Sequence, residues 1–325
     1  MSKINLIPDL IHQLTVLGTQ EDKLILLQKY EKETLLKRVL VLAYNPWINF
    51  KLQHYVPRHS GKQYGMGLSR FMHVFDEINE NKLTTKEAEF SFSMAFLHIN
   101  TTDASLLLAL ITQTLDVGLE LSTINAVWPN LITVYPLRTA HEADYTQFNT
   151  FPAAIQPCST GLRVNIIVCD KLVSYRNKDG TVIEGWDQWD DQFVNLAQGQ
   201  NTVFDGHALV ASNSEIEETD NDKVIAADPT CIRFTLWDVI RYDGFIAGED
   251  TRIGYNWRYN GLEHMMMLAM DKNPTPCYNM LKADMVGSSD QLEAAINNYS
   301  KAVIKSLDST WATGTSPYEI ISYAK

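Results

Sequence analysis

The sequence is short of paired cysteine and of patterned histidine. Its four cysteines, Cys158, Cys169, Cys231 and Cys277, show no CxxC spacing. No zinc ribbon or dithiol motif is expected, and the four read as reduced thiols of a cytoplasmic protein. The eight histidines fall into no HxxxH or HxH pattern, which argues against a helix-borne zinc site, and no metal is expected. Long apolar runs are missing as well. The longest, Leu106 to Ile111, is far below the roughly 18 residues that suggest a membrane span. No charged-then-apolar leader opens the chain, so neither export nor a membrane role is expected. No glycine loop suited to cradling phosphate, no internal repeat and no low-complexity tract occurs.

What is there fits a globular protein of two domains. The chain has 325 residues, 45% apolar and 20% charged, enough for two ordinary cores. Nearly all of the net charge of −12 lies beyond residue 130, the earlier part being close to neutral. Such acidity repels nucleic acid unless the basic side chains are gathered on one face.

Up to about Leu131 the apolar spacing is helical. Leu10, Leu14 and Leu17 precede Gly18, and one rhythm continues through Leu24, Leu27, Leu35, Val39 and Leu42 to the break at Asn45-Pro46. Phe71, Val74, Phe75 and Ile78 share a face. Glu87–Leu97 and Asp103–Leu115 complete the set, the last with Thr101, Thr102 or Asp103 as its cap. An all-α domain over 1–132 is expected, then a polar, proline-bearing linker over 133–150. From 151 to 325 strand signals dominate, at Leu162–Val168, Leu172–Tyr175, Thr202–Val210 and Ile232–Trp237, with a turn at Asp179-Gly180. Trp186, Trp189 and Phe193 suggest a short amphipathic helix. Met265, Met266, Met267 and Met270 are expected in a helix–sheet core. The tract Glu215 to Asp222 reads as a solvated loop; it lacks the glycine-centred spacing of a calcium site.

Three groups of residues could carry chemistry. Cys158 sits in a turn beside Gly161 and Arg163, where a cation favours the thiolate; the structural reading is a small side chain where strand meets turn. His207 could serve as acid or base, or simply satisfy a hydrogen bond. Lys37-Arg38 and Arg58 to Lys62, near Tyr55 and Tyr64, are the candidate nucleic-acid contacts, against a plain solvated face. The segment Leu106 to Leu115 carries no Lys or Arg, so it offers phosphate no charge.

Several segments together carry a family resemblance: Leu35-Leu36-Lys37-Arg38-Val39, Val127-Trp128-Pro129-Asn130-Leu131-Ile132, Phe151-Pro152-Ala153, Val203-Phe204-Asp205-Gly206 and Phe234-Thr235-Leu236-Trp237-Asp238. In order and spacing they resemble the ATP-dependent DNA ligases of the T-even bacteriophages, over nearly the whole chain. The resemblance implies a multidomain α and β protein. An N-terminal all-α ligase-type DNA-binding domain would precede an α+β nucleotidyltransferase domain built on antiparallel sheets. The family's OB-fold would begin where the sequence stops.

The family's nucleophilic lysine opens a Lys-x-Asp-Gly-x-Arg motif. Here the matching residues are Cys158, Ser159, Thr160, Gly161, Leu162 and Arg163, so lysine and aspartate are replaced while glycine and arginine remain. The family's Asp-Gly-Glu becomes Asp205-Gly206-His207. Its Glu-Gly is absent around Ser300 and Lys301. Lys305 fits a lysine that closes the following strand, and the terminal Lys-x-Lys pair appears as Tyr323-Ala324-Lys325. Trp237 is placed to stack on a base, and Arg176 matches an arginine that reaches the nicked strand. The expectation is a vestigial site (Cys158, Thr160, Arg163, Asp205, His207), with Trp237, Lys305 and Lys325 as remnants of a nucleotide pocket. Arg176, Lys37, Arg38, Arg58 and Lys62 would be the remaining DNA contacts.

A catalytically inactive ligase-like protein of the infected host cytoplasm follows, acting by binding a phage or host protein in preference to DNA and needing no cofactor. The alternatives are an active or partner-completed ATP-dependent ligase using ATP and Mg²⁺, and a non-catalytic nucleotide sensor.

Overall fold

The computed structural model describes residues 6–48, 50, 52, 55–79, 82–211 and 221–323. The chain divides into two compact units, Met1–Tyr135 and Pro136–Lys325.

In the first unit the described elements are helices: α1 (Leu6–Val16), α2 (Gln20–Lys29), α3 (Thr34–Tyr44), α4 (Met72–Asn79), α5 (Thr85–His98), α6 (Thr101–Ile111) and α7 (Leu121–Val127). Their starts follow from side-chain capping of otherwise unpaired N–H groups. Thr19 accepts from the Asp22 N–H, and Thr84 and Glu87 form a reciprocal capping box. Asn100, rather than the residues after it, caps α6: its side chain accepts from the Asp103 N–H. The single rhythm expected from Gln20 to Tyr44 is two helices. Glu33 is extended between them, a break hidden among residues that are themselves good helix formers. The apolar stripes meet in one core around Leu14, Leu27, Val39, Phe75, Phe92 and Leu107. Lys23 is buried in this unit, its ammonium donating to the Val117 and Gly118 carbonyls, both at 2.7 Å.

The second unit mixes helices with three sheets. Its strands are β1 (Arg138–Glu142), β2 (Ala153–Pro157), β3 (Leu162–Cys169), β4 (Leu172–Asn177), β5 (Val182–Ile183), β6 (Thr202–Val210), β7 (Ile232–Arg241), β8 (Glu249–Asp250), β9 (Tyr278–Met280), β10 (Asp284–Val286), β11 (Lys301–Ser306), β12 (Trp311–Ala312) and β13 (Gly314–Tyr323). The helices are α8 (Asp190–Leu196), α9 (Asn221–Ala226), α10 (Tyr242–Ala247), α11 (Tyr255–Ala269) and α12 (Ser289–Ile296). One sheet has the order β5-β4-β3-β6-β7-β9, another β1-β13-β11-β2-β10, and β12 pairs with β8. Pairing is antiparallel except for β1 with β13 and β7 with β9.

Each large sheet has one apolar face, as strand alternation dictates. Val164, Ile166, Phe204 and Phe234 of the six-stranded sheet pack with Phe193 of α8 and Leu262 of α11. Ile155, Ala302, Ile304 and Ile320 of the five-stranded sheet pack with Leu292 and Ile296 of α12.

Three expectations need correction here. The linker of 133–150 contains β1, which joins β13 through Arg138↔Gly314 and His141↔Ile320. Its polar composition hides a strand because Arg138 is buried and ion-paired. Of the methionines assigned to a core, Met265 is buried and Met266 packs against the cluster, but Met267 and Met270 are 64% and 66% exposed. On α11, buried Leu262, Met265 and Ala269 set the helix phase, and Met267 falls on the opposite side. The tract read as a loop from Glu215 lies for the most part outside the described residues. The expected aromatic helix is a 3₁₀ turn, Asp187–Trp189, running into α8.

A β-bulge interrupts β7. Asp205 pairs with Asp238 while Gly206 pairs with Leu236, leaving Trp237 as the extra residue. Asp238 thereby joins Asp205 on the polar face and receives the Arg258 guanidinium of α11 at 2.8 and 3.1 Å, both side chains buried. Removing one member of a buried pair strands the other charge. Arg258→Ala is expected to lower the unfolding free energy by about 3–5 kcal/mol, measured by urea denaturation, with a loss under 1 kcal/mol contradicting the assignment.

Candidate functional site

The polar faces of the two large sheets line one cleft of about 230 Å³. From β2 and the turn after it come Gln156, Pro157, Cys158 and Ser159; the six-stranded sheet supplies Arg163, His207 and Trp237; and β11 and β13 supply Val303, Lys305, Glu319 and Ile321. Register explains the grouping, since cross-strand partners share a face. Arg163 pairs with His207, Lys305 with both Ala154 and Glu319, and Val303 with both Gln156 and Ile321. Gly161 makes the turn from β2 into β3 at φ +118°, and a Cβ there would meet the Ala208 carbonyl oxygen at 2.7 Å. Only glycine fits that position.

The charges are almost all spent on one another. Arg163 forks onto Asp205, Nε to Oδ1 at 3.2 Å and Nη2 to Oδ2 at 2.8 Å, and its guanidinium carbon lies 5.7 Å from the Trp237 ring centroid. Asn165 adds a third hydrogen bond to Asp205 at 3.1 Å. Arg138 lies 3.0 Å from the Glu319 carboxylate and donates to Ser316 Oγ at 3.0 Å and to the Thr310 carbonyl. The Tyr255 hydroxyl lies 3.0 Å from Gln156 Oε1 and 3.1 Å from the Trp237 carbonyl oxygen.

Lys305 is the exception. It is 6% exposed, and its ammonium lies 4.8 Å from the Tyr255 ring centroid and 6.0 Å from that of Trp237. Among the described residues it has no hydrogen bond or ion pair. Burial lowers its pKa, opposed by the carboxylates of Glu319, Asp238 and Asp205. His207 packs edge-on to Trp237 with centroids 4.6 Å apart, and its buried Nδ1 has no hydrogen-bond partner among the described residues. Burial pushes its pKa down to about 4, against the pull of Asp205 and with the repulsion of Arg163. The imidazole is therefore neutral at pH 7.

Of the expected site residues, Cys158, Arg163, His207, Trp237 and Lys305 share the cleft, with Asp205 buried behind Arg163. Thr160 does not join them: it is exposed in the turn. Lys325 lies outside the described residues. Arg176 is buried and donates to the Gly180 carbonyl at 2.8 Å, so it ties the β4–β5 turn together and is not presented at the surface. In the helical unit Arg38 is held by Asp76 and the Met72 carbonyl, and Lys37 sits 5.4 Å from the Trp128 ring centroid. Arg58 and Lys62 are exposed. Sequence reasoning missed Arg138, Gln156 and Glu319; a lone carboxylate before Ile320-Ile321 was the available signal for the last.

With the cleft described, its relatives can be placed. The DNA ligase of Enterobacteria phage T6 is 21% identical over an alignment of 362 residues, covering 94% of this chain and 73% of that protein. The DNA ligase of phage T4 matches to the same extent. Over nearly its whole length this chain is weakly similar to the T-even phage DNA ligases. No family model matches the sequence. Among solved structures, Pmar-Lig_PreS3 superposes with a TM-score of 0.55 at 15% identity, covering 97% of this chain and 77% of that one. Pmar-Lig_Pre. gives 0.53 at the same identity and coverage. At that identity the shared property is the fold, a mixed α/β arrangement with antiparallel sheets.

The buried imidazole gives a pH prediction. His207 is neutral when folded and binds a proton more readily when unfolded, so its contribution to stability is full above about pH 6.5 and is lost as pH falls toward 4. His207→Asn should flatten the pH dependence of unfolding free energy in that window relative to the parent. Superimposable parent and variant profiles would show that the ring titrates normally.

Proposed function

We propose that this chain is a DNA ligase-like protein that has lost the covalent step of its relatives and acts by binding, with a protein partner of phage or host preferred to DNA. The observation that carries this is Cys158. It stands at the mouth of the cleft, in the turn where the family resemblance calls for the lysine that takes up AMP. A missing covalent nucleophile removes its step outright. Cysteine is shorter, and its product would be a labile phosphorus–sulfur bond. The remaining charges support the same reading. Arg163 is neutralised by Asp205 and Arg138 by Glu319, so among the described cleft residues Lys305 is the cation left without an ion pair to meet a ligand that would carry a triphosphate.

The preference for protein over DNA rests on the basic residues expected to reach phosphate. Arg176 is buried, Arg38 is ion-paired and Lys37 packs on an indole. No helix among the described residues is long and apolar enough to cross a membrane, and we place the protein's action in the host cytoplasm.

A second reading, a non-catalytic nucleotide sensor, is favoured by the cleft being open, with Trp237 and Lys305 both lining it. Trp237 would then stack on the base and Lys305 meet a phosphate.

Incubated with α-labelled ATP and Mg²⁺, the protein is expected to stay unlabelled. A covalent adenylyl group on any residue, or sealing of a nicked duplex, would return it to the active or partner-completed ligases. In a gel shift at low salt, where charge-driven contacts are strongest, nicked duplex is expected to run free at micromolar protein. A retarded band makes DNA the partner. Calorimetry with ATP separates the sensor: heat that saturates identifies it, and none leaves binding of a macromolecule.

A further inference from the structure

Cys158 and Lys305 line the same cleft, and the reading above gives the thiol itself no chemistry. Cys158 is half-buried, and its N–H donates to the Lys301 carbonyl at 2.9 Å. Lys301 is its neighbour across the β2–β11 pair, held 3.6 Å from Glu142 and 4.8 Å from the Tyr323 ring centroid. Inside the cleft the Arg163 and Arg138 charges are matched, and Lys305 is not. The carboxylates that act on it, Glu319, Asp238 and Asp205, are each paired with an arginine. A cation nine-tenths buried with no ion pair of its own is costly, and an incoming anion lowers that cost. The cleft thus presents an accessible sulfur together with a vacant counter-charge.

The other three cysteines lack this combination. Cys277 is buried and its thiol is pushed up to about 12. Cys169 is raised by burial and by Asp170. Cys231 lies outside the cleft, with Thr230 Oγ1 4.0 Å from its sulfur.

We propose that Cys158 is a site of reversible thiol–disulfide exchange with anionic low-molecular-weight disulfides, Lys305 holding the reagent's carboxylate. Cys158 releases its proton to solvent, and the thiolate Sγ attacks one sulfur of the reagent. An Sγ–S bond forms as the reagent's own S–S bond breaks, and the other half leaves as a thiolate. The Cys158 sulfur is oxidised and the departing sulfur is reduced. The adduct fills the cleft, so the modification switches whatever the cleft admits. The inference is independent of the function proposed above and holds whether or not ATP or DNA binds.

The test compares two probes, the anionic dithiobis(nitrobenzoate) and the neutral hydroxyethyl disulfide, at pH 8. The rate ratio is read at each cysteine by peptide mapping and normalised to mercaptoethanol in solution. Cys158 is expected to react first with the anionic probe, and its normalised ratio should exceed one by about tenfold, the scale of one poorly screened charge. Lys305→Met should bring the ratio near one while the rate with the neutral probe stays within about twofold; Lys305→Arg should keep the preference. First reaction at another cysteine, a normalised ratio of one in the parent, or a ratio unmoved by Lys305→Met would each overturn the proposal. The parent measurement decides even if the variant fails to fold.

Discussion

Charge taken out of water must be matched, and the second unit is arranged around that requirement. Three arginine–carboxylate pairs stand in or beside the space between its two large sheets: Arg163 with Asp205, Arg138 with Glu319 and Arg258 with Asp238. Each joins separate segments. Arg163 ties β3 to β6, Arg138 ties β1 to β13, and Arg258 ties α11 to β7. The Coulomb gain of such a pair barely exceeds its desolvation cost, so what the pairs chiefly contribute is placement. They hold polar faces together that an apolar core would close, and the cleft follows from that.

Against this background the cleft's chemistry depends on two groups that are left over. Among the described residues Lys305 has aromatic rings for neighbours and no ion pair, and His207 carries a buried nitrogen without a hydrogen-bond partner. Both are held by strands whose opposite faces are packed by helices, so neither can relax toward water without disturbing a core. On the resemblance in sequence to the T-even phage ligases, a lysine would be expected in the turn after β2. Here a thiol stands at that position, and the available charge comes instead from β11.

Much of this was legible in the sequence, for definite reasons. Leu162–Val168, Thr202–Val210 and Ile232–Trp237 could be read as strands because one face is apolar at period two. The helices of the first unit announce themselves through Leu10 and Leu14, and through Phe71, Val74 and Phe75. What could not be read was whatever depends on a distant partner. Arg138 looks like linker until β13 pairs beside it. Arg176 looks like a surface contact until Gly180 closes over it. Met267 and Met270 look like core until the phase of α11 is fixed by Leu262 and Ala269. The bulge was hidden most completely: Ile232, Phe234, Leu236, Asp238 and Ile240 are all buried, so the alternation in burial runs on without a break while the strand changes the face it shows.

That extra residue makes the number of residues in β7, and not only their identity, part of the site. Substituting Trp237 would empty one wall. Deleting it would be a change of another order, because the bulge would close and β7 would run opposite β6 in unbroken alternation. Leu236 would stay opposite Gly206 and Asp238 opposite Asp205, so Arg258 would keep its carboxylate and α11 its anchor. A chain shorter by one residue at this point would keep the sheet's pairing and lose the indole that the bulge turns toward the cleft.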